Sequence, residues 1–127
     1  MATFTKMILS ESTNGRGISI NDDATPGKLV HTGSTTTTTI DEIWLYAQNY
    51  DTTNRKLTIE WGGATAGGDI MELTVTAESG LVLVVPGLIL VVAGLVIQGN
   101  ATPKVVRAFA ATANQISLFG YVNRITV

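Results

Sequence analysis

The chain has 127 residues, a size typical of one domain, and it contains no cysteine and a single histidine. These counts exclude disulfide scaffolds, thiol catalysis, cysteine-ligated metals and any site built from a pair of histidines. Only 14% of the residues are charged and the net charge is −2, so no basic stripe of the kind that binds nucleic acid is expected. The 19 Thr and 13 Gly favour strands and turns over helices, and a surface that contacts protein neighbours.

The N-terminal segment, residues 1–10, lacks the basic region, apolar core and cleavage site of a signal peptide, so we expect synthesis in a cytoplasm. Two interpretations of this segment are open. It is either an extended arm that pairs with a neighbouring protein by strand addition or the first strand of the chain's own sheet. The candidate contact residues are Thr3, Phe4, Thr5, Lys6 and Arg16.

Turn-forming residues recur about every 8–12 residues, a spacing typical of a β-sandwich or β-barrel. Between two of these turns the pattern predicts a strand over residues 43–48. A helix is the rival interpretation there, because residues 39–42 have the form of a helix capping box. Residues 56–61 and 70–76 predict two more strands. In residues 56–61, Leu57 and Ile59 share a core face, whereas Glu60 belongs to a solvated face.

Residues 80–97 form an uncharged stretch of 18 residues, which a hydropathy window marks as a membrane-spanning helix. Pro86 and Gly87 interrupt this stretch, and most of its other residues are valine, leucine or isoleucine. Buried strands therefore explain it better than a membrane helix does. The predicted strands cover residues 81–85, 88–92 and 95–98.

The last part of the chain predicts strands that complete an all-β fold. They cover residues 104–110, 115–122 and 124–127. Alanines within residues 105–113 leave a helix there as the alternative, whereas a turn at residues 112–114 favours the strand. No repeat or linker divides the chain. We therefore expect a single domain over residues 1–127, an antiparallel β-sandwich.

Candidate catalytic groups are sparse. His31 could serve a Ser-His-Asp site, but the chain has no G-x-S-x-G motif, and an ordinary strand or loop residue is the favoured interpretation. Asp22 and Asp23 lie in a turn-rich stretch, and Asp41 and Glu42 begin a secondary-structure element, so neither pair indicates a glycosidase. The glycine clusters match no phosphate-binding loop. We expect no enzymatic activity, no cofactor and no metal.

Aromatic side chains suggest a second kind of site, since their rings can stack on sugars or bases. These residues are Trp44, Tyr46, Tyr50, Trp61 and Tyr121. Basic residues are not interleaved with them, which argues against nucleic acid, and Trp61 belongs to the predicted core. Carbohydrate binding is therefore retained as the alternative to a purely structural role.

A set of distinctive phrases extends over nearly the whole chain. They lie at residues 4–6, 12–18, 30–32, 41–47, 57–63, 80–88, 108–114 and 120–125, and include Asp41-Glu42-Ile43-Trp44-Leu45-Tyr46-Ala47 and Gly120-Tyr121-Val122-Asn123-Arg124-Ile125. As a set they resemble a family of small virion proteins of tailed bacteriophages that look like capsid cement or decoration proteins. One departure is Leu90-Val91-Val92-Ala93-Gly94, which is richer in apolar residues than an exposed loop would be.

The resemblance implies a jelly-roll-like β-sandwich that forms a homo-oligomer, a trimer in preference to a dimer, on the outside of an icosahedral shell. The expected partners are the major capsid protein and further copies of this chain, without nucleic acid or membrane. The expected location is the outer capsid surface of the virion. The resemblance implies no catalytic residue. The alternative function is a tail or head-fibre adhesin domain that binds host-surface carbohydrate.

Overall fold

The secondary structure of the chain is known from a computed structural model, which describes residues 3–36, 38–87, 96–98 and 104–126. Within these residues the chain forms ten β-strands and no helix. In chain order the strands are β1 Thr3–Ile8, β2 Ile18–Ser19, β3 Lys28–Thr32, β4 Thr39–Asn49, β5 Arg55–Trp61, β6 Ile70–Val75, β7 Val82–Pro86, β8 Val96–Gln98, β9 Val105–Ala110 and β10 Ile116–Thr126. The described residues contain no helix long and apolar enough to span a membrane.

The strands form two antiparallel sheets packed face to face. Sheet A has the order β1-β10-β4-β7, with the short strand β2 beside β10 and β8 beside β4. Sheet B has the order β3-β9-β5-β6. The pairings are nested along the chain, because β1 pairs with β10, β3 with β9, β4 with β7, and β5 with β6. The predicted β-sandwich is therefore confirmed.

The hydrophobic core lies between the two sheets. In sheet A, Ile43 and Leu45 of β4 and Leu118 of β10 are fully buried, and in sheet B so are Leu57 and Ile59 of β5. All five belong to one hydrophobic cluster. Alternate residues of each strand contribute to it, as expected for strands with one face turned to a core. The core face predicted for residues 56–61 is correct.

Most predicted strands are found within one or two residues of their expected bounds. Residues 43–48 lie within β4, so the helical interpretation of this segment is wrong. Its aromatic and aliphatic residues pair with β10 along the whole length of the strand. The segment 104–110 also forms a strand, β9, and not a helix. The strand predicted over residues 88–92 lies outside the described residues, as do residues 1–2, 95 and 127 at the ends of other predicted segments.

The two strands predicted over residues 115–122 and 124–127 are one continuous strand, β10. It pairs with β4 without a break from Ile116↔Asn49 to Thr126↔Thr39. Close approach of the two backbones depends on Gly120. A Cβ atom there would collide with the carbonyl oxygen of Trp44, so a glycine is required at this position.

The prediction that Glu60 lies on a solvated face of β5 is wrong, because its side chain is only 2% exposed. Its carboxylate accepts hydrogen bonds from the hydroxyl of Thr25 at 2.8 Å and the N–H of Gly27 at 2.7 Å. The segment before β3 therefore covers this part of sheet B. Strand alternation separates the two faces of a sheet, but it does not indicate which loop covers the outer face.

Candidate functional site

A buried polar cluster joins the two sheets. His31 of β3 and Asp41 of β4 are 1% and 0% exposed, and Nε2 of His31 lies 2.8 Å from Oδ2 of Asp41. Arg124 of β10 donates from Nε and Nη2 to the two carboxylate oxygens of Asp41, at 2.7 and 2.8 Å. Since β3 belongs to sheet B and the other two strands to sheet A, these side chains connect the sheets through the core.

Hydrogen bonding fixes the tautomer of His31. The backbone N–H of Ser10 donates to Nδ1 at 3.0 Å, so Nδ1 carries no proton. The proton therefore sits on Nε2, which donates to Asp41. Both ring nitrogens are engaged, and neither of them is bonded to a hydroxyl group. This arrangement differs from a nucleophile–histidine pair, in which the histidine nitrogen accepts the proton of a serine.

Opposing influences act on the carboxyl group of Asp41. Burial raises its pKa, but the hydrogen bonds from Arg124 and His31 outweigh burial, and the pKa of Asp41 lies below its ordinary value. The same contact with Asp41 raises the pKa of Arg124. The cluster therefore holds an ionised carboxylate that is compensated by a guanidinium group. Because the histidine and the aspartate are enclosed, we interpret the cluster as a structural ion pair.

The carboxylates of Asp41 and Glu42 do not lie together. Glu42 follows Asp41 in β4 and so points to the opposite face of sheet A. Oε1 of Glu42 accepts hydrogen bonds from Nε1 of Trp44 at 2.6 Å and from Nδ2 of Asn123 at 3.1 Å. The expectation that Asp41 and Glu42 begin an element is wrong by two residues, because β4 begins at Thr39. Among the described residues, no group of three or more acidic or histidine side chains could hold a metal ion.

A small cleft lies on sheet B beside Glu60. Its volume is about 140 Å³, and it is lined by Pro26, Glu60, Gly63, Ala64, Val105 and Arg107. The polar groups in it are already engaged. Nη1 of Arg107 donates to the carbonyl oxygen of Gly27 at 3.1 Å, and both carboxylate oxygens of Glu60 accept hydrogen bonds from the same loop. The cleft is smaller than the roughly 300–1,000 Å³ typical of ligand pockets.

The outer face of sheet A, turned away from sheet B, carries a concentration of aromatic side chains. We call it the aromatic face. Strand register and alternation assign to it Phe4, Lys6 and Ile8 of β1, Phe119, Tyr121 and Asn123 of β10, Trp44 and Tyr46 of β4, and Leu83 of β7. Phe4, Ile8 and Leu83 are 68%, 48% and 45% exposed. An exposed apolar set of this kind is typical of an interaction surface.

The rings at the centre of the aromatic face are in part covered by atoms of the chain itself. Trp44 and Tyr121 lie nearly parallel, at an interplanar angle of 10° and a centroid distance of 6.0 Å. The ammonium group of Lys6 lies 4.8 Å from the centroid of Tyr121, a cation–π contact. Gly87 lies so close to the indole of Trp44 that a Cβ atom there would collide with the ring. The side chains of Trp44 and Tyr121 remain partly exposed, so these contacts occupy only part of each ring.

The remaining aromatic candidates do not extend this surface. Tyr50 is 60% exposed and follows β4 at the opposite end of the strand from Thr39. Trp61 is partly buried and packs against the core cluster, as predicted. The five aromatic residues singled out from the sequence are thus divided among the aromatic face, an isolated position and the core.

The structure places four of the predicted contact residues, Thr3, Phe4, Thr5 and Lys6, in β1, an edge strand of the chain's own sheet. All four side chains are exposed. Phe4 and Lys6 point to the aromatic face, and Thr3 and Thr5 alternate with them. Arg16 is exposed in the turn between β1 and β2, and it is followed by Gly17, whose backbone lies against the ring of Phe119.

Sequence reasoning missed several members of both sites. Ile8, Leu83 and Phe119 are on the aromatic face, and Arg124 completes the buried cluster, yet none of them was predicted from the sequence as a member of a site. The register between β1, β10 and β4 brings these residues together, and no local pattern in the chain specifies that register. In comparison with known proteins, no family model, curated protein or solved structure matches this chain.

Proposed function

We propose that this chain is a structural protein of a tailed-phage virion, a cement or decoration protein that binds the outer surface of the icosahedral shell as a homo-oligomer and stabilises it. The observation that carries the proposal is the aromatic face with its exposed apolar residues. A protein that binds by area needs such a surface and no reactive centre. Repetition around a shell then multiplies weak contacts into stable attachment.

Sparse charge supports the same interpretation. Only 14% of the residues are charged, and the buried carboxylates Asp41, Glu42 and Glu60 are all hydrogen-bonded within the chain. On the aromatic face the exposed cation is Lys6, which is itself held over Tyr121. Such a face can be covered by another protein with a small desolvation cost, as in the apolar centre of protein–protein interfaces.

The nested strand pairing supports a jelly-roll assignment. Without the short strands β2 and β8, the first strand pairs with the eighth, the second with the seventh, the third with the sixth and the fourth with the fifth. A long antiparallel hairpin that is rolled into two sheets has this order. Jelly rolls occur in viral capsid proteins and in lectins, so fold analogy alone favours neither the shell nor the sugar. The exposed apolar side chains of Phe4, Ile8 and Leu83 on the aromatic face favour the shell.

The proposal is tested by the number of copies in purified particles of the parent virus. Quantitative mass spectrometry is expected to find a copy number comparable with that of the major shell subunit. A handful of copies per particle would contradict the proposal and would favour a tail or fibre adhesin. Particles stripped of the protein are expected to lose their DNA at a lower temperature, and added protein is expected to restore the original temperature.

A matched pair of variants tests the role of the aromatic face. Phe4→Ser removes the most exposed large apolar side chain of the face, whereas Tyr50→Ser removes a similarly exposed one at a distant position. Co-sedimentation with stripped particles is expected to weaken for Phe4→Ser and to stay unchanged for Tyr50→Ser. Equal binding by both variants would argue against this face as the contact surface.

A further inference from the structure

The edge strand β1 is regular and uncovered, and it carries the exposed apolar side chains of Phe4 and Ile8. It pairs with β10 in unbroken register from Thr3↔Thr126 to Ile8↔Tyr121, and it contains no proline or bulge. Among the described residues, no strand pairs with its other side. Soluble proteins usually protect an edge by bulges, prolines or covering segments, because unpaired N–H and C=O groups recruit further strands.

The edges formed by β3 and β7 carry such protection. A bulge interrupts β3, and the N–H of Glu11 donates to the carbonyl of Val30, so the segment after β1 covers that edge. The pairing of β7 shifts register and the strand ends at Pro86. The remaining edge, β6, is regular, but Leu73 packs against the core and Glu72 is paired with Lys56. Only β1 combines a regular edge with exposed apolar side chains among the described residues.

We propose that two copies of this chain associate through β1, which pairs antiparallel with β1 of the second copy about a two-fold axis. Residues opposite each other in an antiparallel pair lie on the same face, so a symmetric pairing must be centred on a single residue. A register centred on Thr5 places Phe4 opposite Lys6 of the second copy and Thr3 opposite Met7 of the second copy. A register centred on Lys6 would place two ammonium groups opposite each other, which is destabilising.

The Thr5-centred register also has favourable contacts. The Lys6 ammonium, already over Tyr121, would lie beside the Phe4 ring of the second copy and thus between two aromatic rings. The Phe4 rings of the two copies become diagonal neighbours, within reach of each other. Both copies of sheet A then join into one continuous sheet, and the two aromatic faces form one surface. This inference rests on the proposed function and extends it, because the surface that binds the shell would then consist of the aromatic faces of two copies.

The expected dimer is weak in solution. A single strand pair buries less than the roughly 1,000 Å² typical of a stable complex, so association is expected in the micromolar range. On a shell, simultaneous attachment of both copies would strengthen it. The two-fold pairing predicts a dimer, in contrast to the trimer that the sequence resemblance implies.

The absence of cysteine makes a direct test available. Opposite residues in an antiparallel pair have Cα atoms about 4.5–5.5 Å apart, which suits a disulfide, whereas diagonal ones at about 7–8 Å do not. Thr5→Cys is therefore expected to crosslink to itself under mild oxidation at least about tenfold faster than Lys6→Cys. Tyr50→Cys, exposed but far from β1, is the matched control for random collision.

Charge variants provide a second readout by sedimentation equilibrium. Phe4→Lys places a lysine opposite Lys6 of the other copy at both symmetry-related positions of the dimer. This repulsion is expected to weaken association about tenfold or more. Phe4→Glu places a carboxylate there and is expected to retain the dimer.

Two outcomes would overturn the inference. One is a wild type that stays monomeric at high micromolar concentration, and the other is a trimer in which the Thr5→Cys variant crosslinks no faster than the Tyr50→Cys variant. Monomers that still coat particles would overturn the dimer alone, whereas dimers that fail to coat them would overturn the proposed function.

Discussion

At the scale of single residues, the carboxylate of Asp41 is charged although it is buried, and its ionised form is stabilised by His31 and Arg124. Replacement by asparagine keeps the shape but removes the charge that compensates Arg124. We expect Asp41→Asn to lower the free energy of unfolding by about 3 kcal/mol, at the low end for breaking a buried pair, because Arg124 is 25% exposed and can turn to water. Urea unfolding at neutral pH measures this loss.

The pH dependence of the same variant follows from the lowered pKa of Asp41. A depressed pKa in the folded state means that ionisation stabilises the fold above the unfolded pKa of about 3.9, and that this contribution is lost as pH falls through the folded value. The stability gap between wild type and Asp41→Asn should therefore narrow below about pH 4. A gap that is independent of pH would contradict this assignment. Asp51→Asn, which breaks a partly exposed pair with Arg55, is the control and should change stability less.

At the scale of secondary-structure elements, the long pairing of β4 and β10 depends on Gly120. Gly120→Ala would drive a methyl group against the backbone of Trp44, where no rotamer change can relieve the contact. We expect a loss of about 3 kcal/mol or more in the free energy of unfolding. Gly68→Ala, in the exposed turn between β5 and β6 with no atom within 4 Å of the added Cβ, should be nearly neutral. Thermal unfolding of both variants tests this; similar melting temperatures would contradict it.

The elements that sequence reasoning predicts correctly are those whose signal is local. Alternation over residues 56–61 specifies a strand and its core face without reference to the rest of the chain. The β-branched run before Pro86 specifies a strand, but the expectation that this strand is buried is wrong at Leu83, which is 45% exposed. Glu60 is misassigned because its burial depends on a loop more than thirty residues earlier, whose Thr25 and Gly27 donate to it. Charged residues are usually exposed, so a buried carboxylate is found only when its partners are known.

The candidate surfaces are predictable only in part, for the same reason. Phe4 and Lys6, which the sequence analysis named as candidate contact residues, are exposed, and their role in contact stays a prediction. Leu83 and Phe119 join them only through the register of sheet A. The cluster that Arg124 completes likewise depends on the packing of two sheets. Long-range pairing of strands, which local patterns do not specify, therefore decides which side chains meet.

At the scale of the whole molecule, nested pairing brings the two ends of the described chain together, since Thr3 pairs with Thr126. A short linker between the ends should therefore be tolerated, and the chain could begin elsewhere. Opening it between Gly67 and Gly68, in an exposed turn, breaks no strand. We expect this circular permutant to keep the far-ultraviolet circular dichroism of the original chain and to melt only a few degrees lower.

A permutant with the same linker but opened between Trp44 and Leu45 provides the contrast. This cut divides β4, the strand that pairs with both β10 and β7 in sheet A. The new chain ends at this cut would expose core residues of the longest strand pair, β4 with β10. We therefore expect this permutant to show no cooperative unfolding transition. If both permutants melted alike, the nested order would not be what holds the sandwich together. If only the Gly67–Gly68 permutant folds, β1 and β10 can pair even when a linker joins their ends. The order of strand pairing, and not the position of the chain ends, then determines the fold.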